Sequence, residues 1–173
     1  MSLLTRALQI KNETVKNANT ATRVGGVLED IIKGSYLQGF FEGSQIQTVS
    51  DSNPFKLTIP SITPAVSPQG WTINGNRFTR GTNGNPVFST ATIIVSGAAS
   101  DKLAFYFAIN GTIIPCSKNI ARVNAAGGSD LRQVVIQCLI NVNEGDFLEV
   151  WGQNETDSSD FTLLLSNIIL TRV

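Results

Sequence analysis

Turn-forming residues recur along the chain from Tyr36 onward, and their spacing restricts the fold more than any other feature. Asp51-Ser52-Asn53-Pro54, Ser67-Pro68-Gln69-Gly70, Asn74-Gly75, Asn83-Gly84-Asn85-Pro86, Asn110-Gly111, Gly127-Gly128 and Glu144-Gly145-Asp146 all supply residues suited to tight turns. Short β-prone runs lie between them, at 36–49, 54–60, 71–80, 86–96, 102–109, 112–116, 131–142, 146–152 and 161–171. Many short strands at such spacing predict an antiparallel sandwich or barrel. Within 102–116, Asn110-Gly111 predicts a hairpin closed by a type I′ turn.

Two runs carry apolar residues on both faces. In 131–142 one face reads Val134, Ile136, Cys138, Ile140 and Val142, and the other Leu131, Gln133, Val135, Gln137 and Leu139. In 161–171 strict alternation puts Phe161, Leu163, Leu165 and Ile169 on one face and Leu164, Ile168 and Leu170 on the other. Such strands need cover on both faces. Neighbouring subunits supply it economically; a loop folded over the sheet is the alternative.

The front of the chain has a different period. Leu3, Ala7, Ile10, Thr14, Asn17, Ala21, Val24, Leu28 and Ile31 are spaced alternately four and three apart, the seam of a coiled coil. Leu28 at an a position and β-branched residues at most d positions lean towards three or more strands, with Asn17 fixing register. Residues 1–33 therefore read as a trimeric helical stalk whose seam includes Ile10, Thr14, Asn17, Ala21, Val24, Leu28 and Ile31. Residues 34–173 read as a β head. A single amphipathic helix lying on its own domain is the competing arrangement. Gly25-Gly26, costing roughly 1 kcal/mol each in a helix interior, mark a place where the helix can end.

Composition narrows the function. The 173 residues balance 13 acidic against 13 basic side chains, so no electrostatic footprint points to nucleic acid. The first residues lack the pattern of a signal peptide, and no apolar run approaches a membrane span, so the expectation is synthesis in a cytoplasm without membrane insertion. There is no histidine, which removes the common His-dependent triads and zinc motifs; no catalysis and no cofactor are expected. Cys116 and Cys138 are too few and too far apart in sequence for a disulfide framework or zinc site. Cys138 is expected to be a buried thiol, and whether the two meet in space is left open.

The stretches "GSYLQGFFEGSQ", "LAFYFAINGTIIPCS", "VVIQCLINVNEGDFLEVWGQN" and "FTLLLSNIILTRV" resemble, in their order, the trimeric jelly-roll heads of the C1q and tumour-necrosis-factor-like superfamily. The Gly145-Asp146 turn followed by Phe147, Leu148, Val150 and Trp151 matches one shared feature of that superfamily. Residues 18–32, with Ala18, Asn19, Thr20, Ala21, Arg23, Val24, Gly25, Leu28, Asp30 and Ile31, are similar to a string found ahead of fibre or knob domains in bacteriophage virion proteins. Together the resemblances imply a homotrimeric virion protein with a C1q/TNF-like head. They imply a capsid or tail partner at the N-terminus and attachment to a host-surface glycan or protein. A capsid-decoration trimer without receptor binding and a non-viral C1q-like binding module are the alternatives.

Three stretches could carry a site. In "WTINGNRFTRGTNGNP", Trp71, Arg77, Arg80 and Asn83 suit a sugar, since a ring stacks on its apolar face while polar groups bond its hydroxyls; Trp71 as a core residue among turn residues is the bland alternative. "GQNETDSSD", with Glu155, Asp157 and Asp160, offers oxygen ligands for calcium but lacks EF-hand spacing and is expected to be solvated. Glu144, Asp146 and Glu149 are a dense acidic group that could serve glycoside cleavage, yet they read as a turn entering a strand.

Overall fold

The computed structural model describes residues 36–64, 70–81, 85–124 and 130–172. The stalk residues Ile10, Thr14, Asn17, Ala21, Val24, Leu28 and Ile31, and the candidate Asn83, lie outside the described residues.

Among the described residues twelve strands form, in chain order: β1 (Tyr36–Gln47), β2 (Phe55–Lys56), β3 (Thr63–Pro64), β4 (Trp71–Asn74), β5 (Arg77–Arg80), β6 (Asn85–Ser96), β7 (Lys102–Ile109), β8 (Thr112–Ile113), β9 (Asn119–Arg122), β10 (Arg132–Val142), β11 (Phe147–Asn154) and β12 (Phe161–Arg172). A 3-10 turn at Pro115–Ser117 links β8 to β9. The strands make two sheets. One has the order β10-β6-β12-β1-β3; the other has β4-β5-β11-β7-β8, with β2 on β11 and β9 on β7. All pairings are antiparallel. The last strand lies between the first and the sixth, so the sheet closes through contacts far apart in sequence.

The Asn110-Gly111 hairpin forms as expected. Ala108 pairs with Ile113 and Ile109 with Thr112, and both turn residues take positive φ, +50° and +77°. The short pairings of β3 and β9 add to the expected runs, while 54–60 keeps only two ladder-paired residues, Phe55 and Lys56, both on β11.

The core fills the space between the sheets. Leu37, Val87, Ala91, Ile93, Val134, Ile136, Leu163, Ile168 and Leu170 face Phe78, Leu103, Phe105, Phe107, Leu148 and Val150. Phe105 and Phe161 meet edge to face at 5.9 Å and 88°, a preferred aromatic geometry. Two buried amide side chains are matched to backbone. Asn76 accepts from the Val150 amide at 3.0 Å and donates to the Leu57 carbonyl at 3.1 Å, and Gln47 exchanges two bonds with Thr58.

β12 departs from strict alternation. A bulge between Leu163 and Leu165 leaves Leu164 as an extra residue and reverses the facing of everything after it. Phe161 and Leu163 therefore share the core face with Ile168 and Leu170, while Leu165 and Ile169 point away from the core. This corrects the faces expected from sequence.

Candidate functional site

The side of the five-stranded sheet that turns away from the core is a broad, nearly uncharged surface. Its cross-strand rows follow from register. Phe40, Asn167, Thr92 and Val135 form one row, and Glu42, Leu165, Ile94 and Gln133 the next. Gln38, Ile169, Thr90 and Gln137 form a third, while Phe88 stands opposite Leu139. Among the described outward positions of β1, β6, β10 and β12, Glu42 alone is charged. Phe40, Ile46, Phe88, Leu131 and Leu139 are exposed large apolar side chains, and all five belong to this face.

Exposed apolar residues scattered singly are ordinary, but a contiguous group on one sheet face marks an interaction surface. Between the apolar side chains Gln38 Nε2 donates to Asn167 Oδ1 at 3.2 Å. A groove of about 550 Å³ continues the face at one end, lined by Ser44, Ser96, Leu131, Asp160, Thr162 and Leu164. Leu131, Leu139, Leu165 and Ile169 were legible as residues in need of cover. Phe40 and Phe88 were missed, although alternation against the buried Leu37, Phe41 and Val87 would have exposed them.

The three described residues of the sugar-binding candidate do not converge. Trp71 pairs in register with Arg80 on the neighbouring strand, both are buried, and the Arg80 guanidinium lies over the indole at 4.8 Å. Arg77 leaves the opposite face of the same strand. Its guanidinium sits 3.8 Å over the Phe147 ring and donates from Nε and Nη2 to Glu149 Oε1, each at 3.2 Å. Lys56 Nζ approaches the same oxygen at 3.7 Å, and Trp151 Nε1 donates to Glu149 Oε2 at 3.2 Å. Glu149 is thus a buried carboxylate held by three donors, with Arg77 as its main partner. The expected grouping of Trp71, Arg77 and Arg80 fails because positions 77 and 80 differ in strand parity.

The acidic stretches also resolve into local structure. Asp146 accepts from Asn110 Nδ2 at 2.7 Å and from the Asn143 amide at 2.9 Å, which ties the β10–β11 turn to the β7–β8 hairpin. The Asn110 side-chain bond first, and the Asn143 amide second, hold the Asp146 carboxyl below its ordinary range. Asp157 accepts from Asn154 and the Ser159 amide, Asp160 from the Val49 amide, and Glu155 pairs with Lys118. Among the described residues no three His, Cys, Asp or Glu side chains are grouped to hold a metal ion. No helix among them is long and apolar enough to cross a membrane. Cys138 is half-buried at the sheet edge rather than deep in the core, and its sulfur meets that of the exposed Cys116.

Two antiparallel sheets in this strand order, with one apolar outer face, define a jelly roll of the tumour-necrosis-factor-like kind. Solved structures agree. Murine APRIL at pH 5.0 is similar with a TM-score of 0.54 at 7% identity, covering 79% of this chain and 98% of that one. The Eiger TNF from S. frugiperda has a TM-score of 0.52 at 13% identity, over 80% and 93% of the two chains. PRD1 vertex protein P5 has a TM-score of 0.51 at 10% identity, over 80% and 96%. At these identities the likeness is one of fold. No protein-family model matches the chain, and no curated protein matches it in sequence.

Proposed function

We propose that the chain is a homotrimeric virion protein, with residues 1–33 as a helical stalk that joins a capsid or tail protein and residues 34–173 as a jelly-roll head for attachment. The observation that carries the trimer is the outer face of the five-stranded sheet, where Phe40, Phe88, Leu131 and Leu139 stand exposed with one charge among the outward positions described. A fully withdrawn Leu or Phe gains about 1.5–3 kcal/mol, and these side chains leave much of that unrealised in a single copy. The stalk heptad supports the same stoichiometry, because a weak helix of this kind is completed by further copies. The virion setting is supported by the phage-like string at residues 18–32 and by the fold shared with the PRD1 vertex protein. The head does its work by binding, with no catalysis and no cofactor.

A second reading, a capsid-decoration trimer that binds no receptor, is favoured by the inward placement of Trp71 and Arg80, which removes two residues from the expected sugar site. Two experiments separate these ideas. Light scattering on the purified chain should give the mass of three copies, and a monomer would sink the proposal. Fluorescently labelled protein should then stain host cells and be competed by extracted surface glycans; a trimer that incorporates into virions yet never stains host cells is a decoration protein.

A further inference from the structure

We propose that Cys116 and Cys138 form a redox modification site, closing to an intramolecular disulfide that staples the two sheets when the protein meets a low-molecular-weight disulfide such as oxidised glutathione. The two residues are 22 positions apart, yet their sulfurs lie 2.7 Å from each other. That is closer than ordinary non-bonded contact and longer than the roughly 2.05 Å of a formed bond. Both are free thiols.

The backbone holds each partner in place. Cys138 lies on the core-facing row of β10, paired with Ser89 of β6, and β10 is an edge strand of the five-stranded sheet. Cys116 is the middle residue of the 3-10 turn that follows β8 of the other sheet. Ser117 pins that turn to β7, accepting from the Phe107 amide at 2.8 Å and donating to the Ile114 carbonyl at 2.7 Å. Asn119 Nδ2 donates to the Val135 carbonyl at 2.7 Å, a second bridge from the same stretch to β10. Bond formation therefore needs side-chain adjustment and no rearrangement of strands.

Exposure assigns the order of events. Cys116 is open to solvent, so its thiolate attacks the external disulfide, forming a mixed disulfide and releasing one glutathione thiolate. Burial first, and the hydrogen bond with Cys116 second, push the Cys138 thiol up to about 11. That makes Cys138 a poor partner for an external oxidant, and what fits it to the second step is geometry, since its target sulfur is already adjacent. It attacks the Cys116 sulfur and expels the second glutathione. Two protein thiols lose two electrons and two protons, and one oxidised glutathione becomes two reduced ones. The site needs nothing from the trimer or virion reading, so it stands or falls separately.

The test uses the full chain, reduced, desalted and incubated with oxidised glutathione at mildly alkaline pH, then quenched with an alkylating agent. The expected product has lost two hydrogen masses, takes up no alkylating agent, and yields a linked peptide joining Cys116 to Cys138 after digestion. Its Tm rises by roughly 5–10 °C over the reduced form, since the closed loop restricts the unfolded chain, and dithiothreitol reverses the shift. Cys116→Ser, a change on an exposed turn, shows neither the mass loss nor the Tm shift. Alkylation of both thiols, two stable glutathione adducts, disulfide-linked pairs of chains, or a bonded form with unchanged Tm would each overturn the proposal.

Discussion

Glu149 shows how much a single residue position decides. Its carboxylate is 2% exposed while its partners Arg77 and Lys56 stay 44% and 49% exposed, so the charge is buried and its compensation comes from the surface. Removing Arg77 leaves the carboxylate with Trp151 and a more distant Lys56. Arg77→Ala is expected to cost about 1–2 kcal/mol, below the range for a fully buried pair because solvent reaches the site. A lowered urea midpoint with unchanged slope is the measurement. If Arg77 were instead a free ligand-binding group, the substitution would leave stability unchanged, so the same experiment tells the two roles apart. Asp146 gives a pH signature. Its folded-state carboxyl is held below the ordinary range by Asn110 and then by Asn143. A depressed carboxyl contributes stability that is complete above the unfolded-state pKa and is lost as pH falls through the folded one. Asp146→Ala should therefore be less stable than the parent near neutrality. The two melting temperatures should converge in acid, below the ordinary carboxylate range, and a constant gap across the titration would count against this account.

At the scale of the element, β11 depends on having no side chain at Gly152. A Cβ there would come within 2.6 Å of Leu57 Cδ2 and 3.1 Å of Phe161 Cζ, the two side chains that close this end of the core. Gly152→Ala is expected to destabilise by about 1–3 kcal/mol through overpacking, read as a lower midpoint in chemical denaturation. Much of the element structure was legible. Alternation exposed the core face of β10, and Asn110-Gly111 announced its own turn. The faces of β12 were not, because the bulge at Leu164 breaks the period on which such assignments rest and no residue type there signals it. The cysteine pair was equally hidden. It depends on a 3-10 turn from one sheet reaching an edge strand of the other, a matter of layer stacking rather than spacing. For the candidate sugar site, parity within β5 could have been counted, and it would have separated Arg77 from Arg80. The stretch 71–80, a β-prone run in sequence, is a hairpin of two ladder-bonded strands with Gly75-Asn76 at its bend.

The molecule as a whole has two sheets with unlike outer faces, and for the proposed trimer the contrast selects the face to test. Outside the seven-stranded sheet, Arg77 and Lys56 both sit against the Glu149 carboxylate, and Tyr106 is covered, its hydroxyl donating to Gln153 at 2.7 Å. Among the described large apolar side chains of that sheet only Ile120, on β9, is exposed. Outside the five-stranded sheet, Phe88 and Leu139 stand directly opposite each other with 42% and 59% of their surfaces exposed. They contribute little to the single subunit and much to any association across this face. Phe88→Glu combined with Leu139→Lys exploits the difference. The pair places opposite charges across the β6–β10 ladder, where they support each other, while making the face costly to dehydrate. The expected result is a scattering mass that falls from three chains to one with the β-sheet circular dichroism retained. Leu163→Ala, at a fully buried position on the other side of the same sheet, should instead cost about 2–5 kcal/mol in stability. A charged-pair variant that stays trimeric would move the subunit contact to another surface and leave the stalk as the sole basis for the trimer.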